Sequence, residues 1–364
     1  MAEQRVCLVG LVAGKGSGVS RYAAALSRAL DEVAPEFPGL RLSLLTTRTG
    51  AGAVQARNID VHDFGLRGLA DAGPARVPLE QVLAATRRAD LLHFFDLTGP
   101  LLRPRRPFVT TIHDAGVLHG FRKVRHAYKR RLQPWALRRA AAVVAVSGFT
   151  KDEAVQRFGA RAESISVIHS GPGLAGAPSG GDGGGRDGGY FLYVGDLTPK
   201  KNVGFLVRAF GRADLPNRLV LAGRMLDDAE QLTAEIERSP KRERIELVGS
   251  PSDEELDGLY RSATALVHPS RYEGFGFTPL EAMSRGCPVL ASDVPAIREV
   301  SGAGAQLLPL DDEAAWAGSL ARVAGDESFR ADLRARGARA VEAYSWAETA
   351  RRLCRLFQSI PEAR

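Results

Sequence analysis

Residues 270–293 read "SRYEGFGFTPLEAMSRGCPVLASD": a loop, a short apolar helix and a buried strand in one unbroken run. Thr278 followed by Pro279 predicts a helix start, with Thr278 as N-cap and proline at the first helical position, where its missing N–H costs nothing. Glu281 then falls at the third helical position. "TPLE" therefore reads as a capping box, in which the glutamate reaches back to the cap's backbone N–H. Gly286 supplies a C-terminal stop, and "CPVLAS" follows as a strand. For Glu281 a structural cap and a role in a site are open in equal measure. Glu273 has no capping account: it precedes glycines in a loop entering a helix N-terminus, where exposed N–H groups and the helix dipole favour an anion. A carboxylate there needs other work, such as gripping sugar hydroxyls.

The same strand–helix logic runs outward in both directions. In the first half the strand candidates are "RVCLVGL", "RLSLLTT", "DLLHFF", "PFVTTIH", "AAVVAV" and "SISVI"; in the second they are "YFLYVG", "RLVLAG", "RIELVG", "ALVHP", "PVLAS" and "AQLLP". Amphipathic stretches such as "VSRYAAALSRALDEV" and "NVGFLVRAFGRA" lie between them. This alternation predicts parallel sheets covered by helices on both faces, twice over. The expected division is a Rossmann-like domain over 1–172, a glycine-rich linker over 173–189 with almost nothing to bury, a second Rossmann-like domain over 190–344, and a closing amphipathic helix over 345–364. Two doubly wound domains facing each other would place ligands in a cleft at the carboxyl ends of their strands.

Composition narrows the class. The 364 residues are 45% apolar and 25% charged, as in a soluble two-domain protein. No apolar run approaches the ~20 residues that span a bilayer. The N-terminus lacks a basic leader and reads as a first strand. Three widely spaced cysteines, Cys7, Cys287 and Cys354, match no metal-site spacing and predict reduced core thiols in a cytoplasm. The net charge of +7 gathers partly in "FRKVRHAYKRRLQPWALRR", residues 121–139. That segment suits a solvated helix face or peripheral contact with an anionic membrane. Sparse aromatics there argue against nucleic acid.

Three further places carry chemistry. "GKGSGVSRY", residues 14–22, is a glycine-rich turn opening a helix, which lets backbone N–H groups approach a phosphate. A nicotinamide dinucleotide site would want an acid at the end of the second strand, but that strand ends in Thr46, Thr47 and Arg48. "YVGDLTPKKNV" sets Lys200 and Lys201 ahead of a helix, against its dipole; an anion bound between them and the helix removes the conflict. Phosphate binding is assigned to Lys201, and Lys200 is left open. "TTIHDAG" sets His113 and Asp114 directly after a strand, on the rim where this architecture holds its ligands.

Together these segments resemble glycosyltransferase family 4, retaining enzymes of the GT-B fold, over nearly the whole chain. The strongest part is residues 242–302, where Glu273 and Glu281 form the family's E-x7-E signature. The resemblance implies that Glu273 lies near the transferred sugar and its leaving phosphate. It implies that the amides of Gly274, Phe275, Gly276, Phe277 and Thr278 bind sugar hydroxyls and phosphate, and that Glu281 accepts from the nucleotide ribose. The family's glycine loop falls on Ser17, Gly18, Val19 and Ser20; Gly18 keeps the close backbone approach, while Ser17 and Ser20 stand where the family has glycines, which leaves acceptor or phosphate contact at Ser17 open. His113 matches the histidine that touches the donor sugar, with Asp114 beside it. Lys201 matches the diphosphate-binding lysine. The usual arginine five residues earlier is Asp196, so either Lys201 carries more of the load or Lys200 or Arg224 (in "LVLAGR") substitutes for it. Branches with a "PRKN"-like stretch, many similar to mannosyltransferases, also lack that arginine.

The function implied is transfer of a hexosyl group, with retention, from a GDP-mannose or UDP/dTDP-hexose type donor to a hydroxyl of a glycan, lipid-linked or small-molecule acceptor. Front-face attack, with the leaving diphosphate taking the acceptor's proton, needs no metal or other cofactor. The alternatives are a catalytically inactive GT-B partner protein and a sugar-nucleotide epimerase. Acceptor contacts are expected from loops around residues 48–80 and 115–130.

Overall fold

A computed structural model describes every residue except 1–2, 11–17, 47–53, 55, 64–88, 98–105, 117–126, 174–188, 227–228 and 362–364. Ser17, Thr47, Arg48, most of the linker and most of both acceptor loops lie outside the described residues. The chain divides into one unit of residues 1–173 with 344–364 and a second of 174–343.

In the first unit, strands β1 (Gln4–Val9), β2 (Leu40–Thr46), β3 (Asp60–Asp63), β4 (Leu91–Phe94), β5 (Phe108–Ile112), β6 (Ala142–Ala145) and β7 (Ile165–Val167) pair in the order β3-β2-β1-β4-β5-β6-β7. Every pairing is parallel. Helices α1 (Gly18–Val33), α2 (Ala127–Arg139) and α3 (Gly148–Phe158) belong to the crossovers. The central strands are buried and mostly apolar, because a sheet covered on both faces has no side for water; His93 on β4 and Thr110 and Thr111 on β5 are the buried polar exceptions. Every apolar run read as a strand forms one. Strand β3, "DVHD", is an addition: a short, mostly polar edge strand carrying no apolar run.

The second unit repeats the plan. Strands β8 (Tyr190–Val194), β9 (Arg218–Ala222), β10 (Ile245–Gly249), β11 (Ala265–His268), β12 (Val289–Ser292) and β13 (Gln306–Leu308) pair in the order β10-β9-β8-β11-β12-β13, all parallel. Helices α4 (Val203–Arg212), α5 (Ala229–Arg238), α6 (Asp253–Ser262), α7 (Phe277–Ser284), α8 (Pro295–Ser301), α9 (Glu313–Gly325) and α10 (Glu327–Val341) connect and flank them. Strand periodicity sorts the core by face: Phe191 and Tyr193 join the cluster around Trp316 and Phe210, while Tyr190 and Leu192 join the cluster around Tyr260 and Ile297. The chain order reverses between β8 and β11, the switch point outside whose carboxyl ends a sheet of this kind holds its ligands in a crevice.

The last helix, α11 (Trp346–Ser359), returns to the first unit and packs on α1. Ser345 caps it, its hydroxyl accepting from the Glu348 N–H. Trp346 donates from its indole to the Pro172 carbonyl at 2.6 Å, Arg351 grips Glu36 with two prongs, and Gln4 donates to the Ile360 carbonyl. All three cysteines are buried free thiols. Among the described residues no helix is long and apolar enough to cross a membrane.

Candidate donor site at the second switch point

The loops after β8 and β11 bring Lys201 and Glu273 together. Lys201 ends a short 3-10 turn over Pro199–Lys201, and Asn202 then takes a left-handed conformation (φ 58°) before α4. The Lys201 ammonium donates to Glu273 Oε1 at 2.5 Å. A second donor reaches the same oxygen: Nε2 of His268, the last residue of β11, at 3.1 Å. An ionised carboxylate only accepts, so the His268 proton resides on Nε2. Burial alone would raise the Glu273 pKa, but the charges of Lys201 and Lys200 and the His268 hydrogen bond hold it well below the usual carboxylate range. Burial lowers the His268 pKa against the pull of Glu273, and both lysines act with burial. The group is therefore an anion between a cation and a neutral imidazole. Lys200 lies over the Tyr272 ring, 4.8 Å from its centroid. The two lysines that ran against the helix dipole in the sequence each have a partner here.

A second ion pair sits one loop away. Strand β9 lies beside β8, and the two following loops touch: a Cβ on Gly223 would stand 1.9 Å from the Gly195 carbonyl oxygen, so only glycine fits. Asp196 and Arg224, the next residue of each loop, close a two-pronged pair of 2.9 and 2.8 Å. Arg224 is thus held at the edge of the crevice by the residue that stands where the resemblance expects a cation.

The start of α7 departs from the sequence reading. The helix begins at Phe277, and its N-cap is Gly276 at φ 95° rather than Thr278. A left-handed cap lets the chain enter the helix early, leaving Thr278 inside the first turn. Any Cβ on Gly276 would also meet Ile297 Cδ1 at 2.5 Å. The capping box at Glu281 is therefore corrected. Glu281 is 1% exposed, and its Oε2 accepts from the hydroxyl of Tyr260, fully buried on α6, at 2.9 Å. Gly274, Phe275 and Gly276 line the approach to α7 as buried residues, with the Phe275 and Phe277 rings 5.0 Å apart. A capping box does occur one crossover earlier, between Ser252 and Glu255 at the start of α6.

The first unit carries its own polar cluster at the carboxyl end of β5. His113 donates from Nε2 to the Phe95 carbonyl at 2.7 Å, which leaves Nδ1 as an acceptor. Burial lowers its pKa, outweighing the hydrogen bond to Phe95 and the charges of Asp96 and Asp114. The Tyr22 ring meets it edge-on at 4.6 Å, and Trp346 packs behind Tyr22 at 5.6 Å. Asp114 turns back on its own loop, accepting from the Gly116 N–H at 2.9 Å. Gly18 is the exposed first residue of α1.

His268, Tyr260 and Tyr22 escaped the sequence reading. Each looks like an ordinary strand or helix residue until the register puts it beside a site group. Among the described residues no cluster of three or more His, Cys, Asp or Glu is placed to hold a metal ion.

Comparisons with known proteins bear on the family and the fold. A family model described as glycosyl transferases group 1 matches residues 185–340, and one described as glycosyltransferase family 4 matches residues 16–172. Among curated proteins, the chain is 35% identical to the O-antigen chain mannosyltransferase B of Escherichia coli over 43% of this chain and 42% of that one. It is 31% identical to the O-antigen chain mannosyltransferase RfbU of Salmonella typhimurium over 62% of each. The matches thus span less than two thirds of these relatives' own lengths. A solved sucrose-phosphate synthase from Thermosynechococcus elongatus superimposes with a TM-score of 0.76 at 21% identity, covering 98% of both chains. That likeness identifies the GT-B fold.

Proposed function

The chain belongs to glycosyltransferase family 4, and on that premise we propose that it transfers a hexosyl group, mannosyl first among them, from a nucleoside-diphosphate sugar to an acceptor hydroxyl, with retention of configuration. The observation that carries this reading is the Lys201–Glu273 pair at the β8/β11 switch point, beside the glycine-opened N-terminus of α7. The mannosyltransferase names of the two curated relatives support the choice of sugar.

In this reading the donor diphosphate draws Lys201 away from Glu273 and takes hydrogen bonds from the amides of Gly274 through Thr278. Arg224 supplies the second cation, and Lys200 stays on Tyr272. Glu273 then faces the transferred sugar. In the first unit His113, neutral and tied through Nε2, keeps Nδ1 as an acceptor for a sugar hydroxyl, and Gly18 is assigned a donor contact. Glu281, held by Tyr260, takes the ribose. The acceptor oxygen attacks from the face the diphosphate leaves; the C1–O bond to phosphate breaks, the new C1–O bond forms, and the acceptor's proton passes to the departing phosphate oxygen. Lys201, Arg224 and the α7 amides stabilise the charge that develops there, without a metal. The acceptor is a glycan, a lipid-linked sugar or a small molecule. A cytoplasmic protein whose 121–139 segment touches an anionic membrane surface would suit a lipid-linked one.

A donor panel of GDP-mannose and UDP- and dTDP-hexoses, read by release of free nucleoside diphosphate with and without acceptor, tests the assignment. Acceptor-dependent release from one donor is expected. Tight diphosphate binding with no turnover of any donor would support an inactive partner protein instead, and acceptor-independent epimerisation of the donor an epimerase.

A further inference from the structure

Both donors to Glu273 use one oxygen. Lys201 and His268 each reach Oε1, and Oε2 accepts from no described residue and is not among the enclosed polar atoms. The two donors differ in freedom. Lys201 ends a flexible four-carbon stem whose side chain is 20% exposed. His268 is 1% exposed, and its backbone is fixed: it pairs with Ala291 of β12, and its carbonyl accepts from the Ser292 hydroxyl. The ring's other nitrogen, Nδ1, is buried and has no partner among the described residues, so the bond to Glu273 is its single polar tether. A ring so packed cannot follow a ligand; an ammonium can.

A nucleoside diphosphate brings two or more negative charges to the crevice and competes with Glu273 for Lys201. When the ammonium leaves, a carboxylate held by it alone would rotate after it or fill the gap. The uncharged N–H of His268 is not drawn to phosphate and stays where the strand puts it. We propose that His268 is a positioning residue for Glu273: it keeps Oε1 in place once Lys201 has moved to the donor diphosphate, so that Oε2 remains aimed at the reacting sugar. This deepens the transfer reading above and rests on it.

The test compares His268→Phe, which keeps the ring's bulk without a donor, with His268→Gln, whose Nε2 reaches the same place as the imidazole Nε2. Circular-dichroism melting checks that both fold. In His268→Phe, kcat should fall on the order of 100-fold, the loss that misplacing a reacting group typically causes. Donor KM and calorimetric affinity for the nucleoside diphosphate should stay within about threefold, because Lys201 is untouched. His268→Gln should recover most of the loss. An unchanged kcat in His268→Phe, or an equal loss in His268→Gln, overturns the proposal; so does diphosphate affinity falling in step with kcat. Crystal structures of wild type and His268→Phe with nucleoside diphosphate decide the point even if no donor is turned over. Wild type should keep the His268–Glu273 bond while Lys201 contacts phosphate, and the variant should show Glu273 rotated. Glu273 in the same place in both would refute positioning, whereas absence of turnover in wild type alone would refute the transfer reading.

Discussion

Asp196 and Arg224 face each other across the touching loops of β8 and β9, Nε to Oδ1 at 2.9 Å and Nη2 to Oδ2 at 2.8 Å. Both side chains are more than a third exposed, and an exposed pair of this kind contributes only ~0.2–1 kcal/mol. A diphosphate can therefore displace Asp196 at little cost. Asp196→Asn should leave nucleoside diphosphate affinity unchanged or tighten it a few-fold, by removing a like charge from the phosphates. Arg224→Ala should weaken it about tenfold. Calorimetric titration checks both, and equal weakening in the two variants would mean that Asp196 is needed to aim the guanidinium.

Lys201→Met tests the other cation, with a pH signature. In wild type the Glu273 pKa is depressed, so the pair's stabilisation is present above the unfolded carboxylate value of about 4.3 and is lost as pH falls through the lower folded value. Without Lys201 burial dominates, the Glu273 pKa rises, and the buried carboxylate costs stability at neutral pH that protonation restores. The melting-temperature gap between the two proteins should be widest near pH 8 and narrow towards pH 5. The same variant should bind nucleoside diphosphate at least about tenfold more weakly and the nucleoside alone unchanged. A gap independent of pH would mean that Glu273 is not governed by Lys201.

Tyr260→Phe leaves Glu281 short of a buried hydrogen bond and should cost ~1–3 kcal/mol in chemical denaturation. Its donor KM should rise more than its kcat falls. Thr278→Ala should be nearly neutral, because Thr278 is not the cap of α7. A loss of ~1 kcal/mol there would restore the capping-box reading.

Gly276→Ala should destabilise by on the order of 2–4 kcal/mol, combining the left-handed backbone at φ 95° with the collision on Ile297 Cδ1. Adding Ile297→Val removes the colliding methyl and should recover the steric part while leaving the backbone part. Full recovery in the double variant would show that the backbone conformation carries no cost.

The residues show why some of this was legible in sequence and some was not. Strand positions could be read because doubly buried parallel strands are continuous apolar runs, and β3 was invisible because "DVHD" at the sheet edge is not one. Lys201 and Glu273 were nameable as separate motifs, yet their contact depends on β8 and β11 being neighbours, which local pattern does not state. The same holds for Asp196 with Arg224 through β8 and β9. His268 reads as the last residue of a buried strand in "ALVHP", and only the turn that folds Glu273 back over it gives it chemistry. At α7 the local signal misled: Thr-Pro is a good helix start, but a left-handed glycine two residues earlier is also one, and tertiary packing on Ile297 selected it.

Retaining transfer at the Lys201–Glu273 site is the proposal on which the other roles depend. Its most direct test is the anomeric configuration of the first product formed from GDP-α-mannose, or whichever donor the panel selects, read by NMR in excess chelator. An α-linked product is expected from an α-donor, formed at an undiminished rate with the metal removed and lost in Glu273→Gln. A β-linked product, or transfer that stops with chelator and returns with magnesium or manganese, would contradict it.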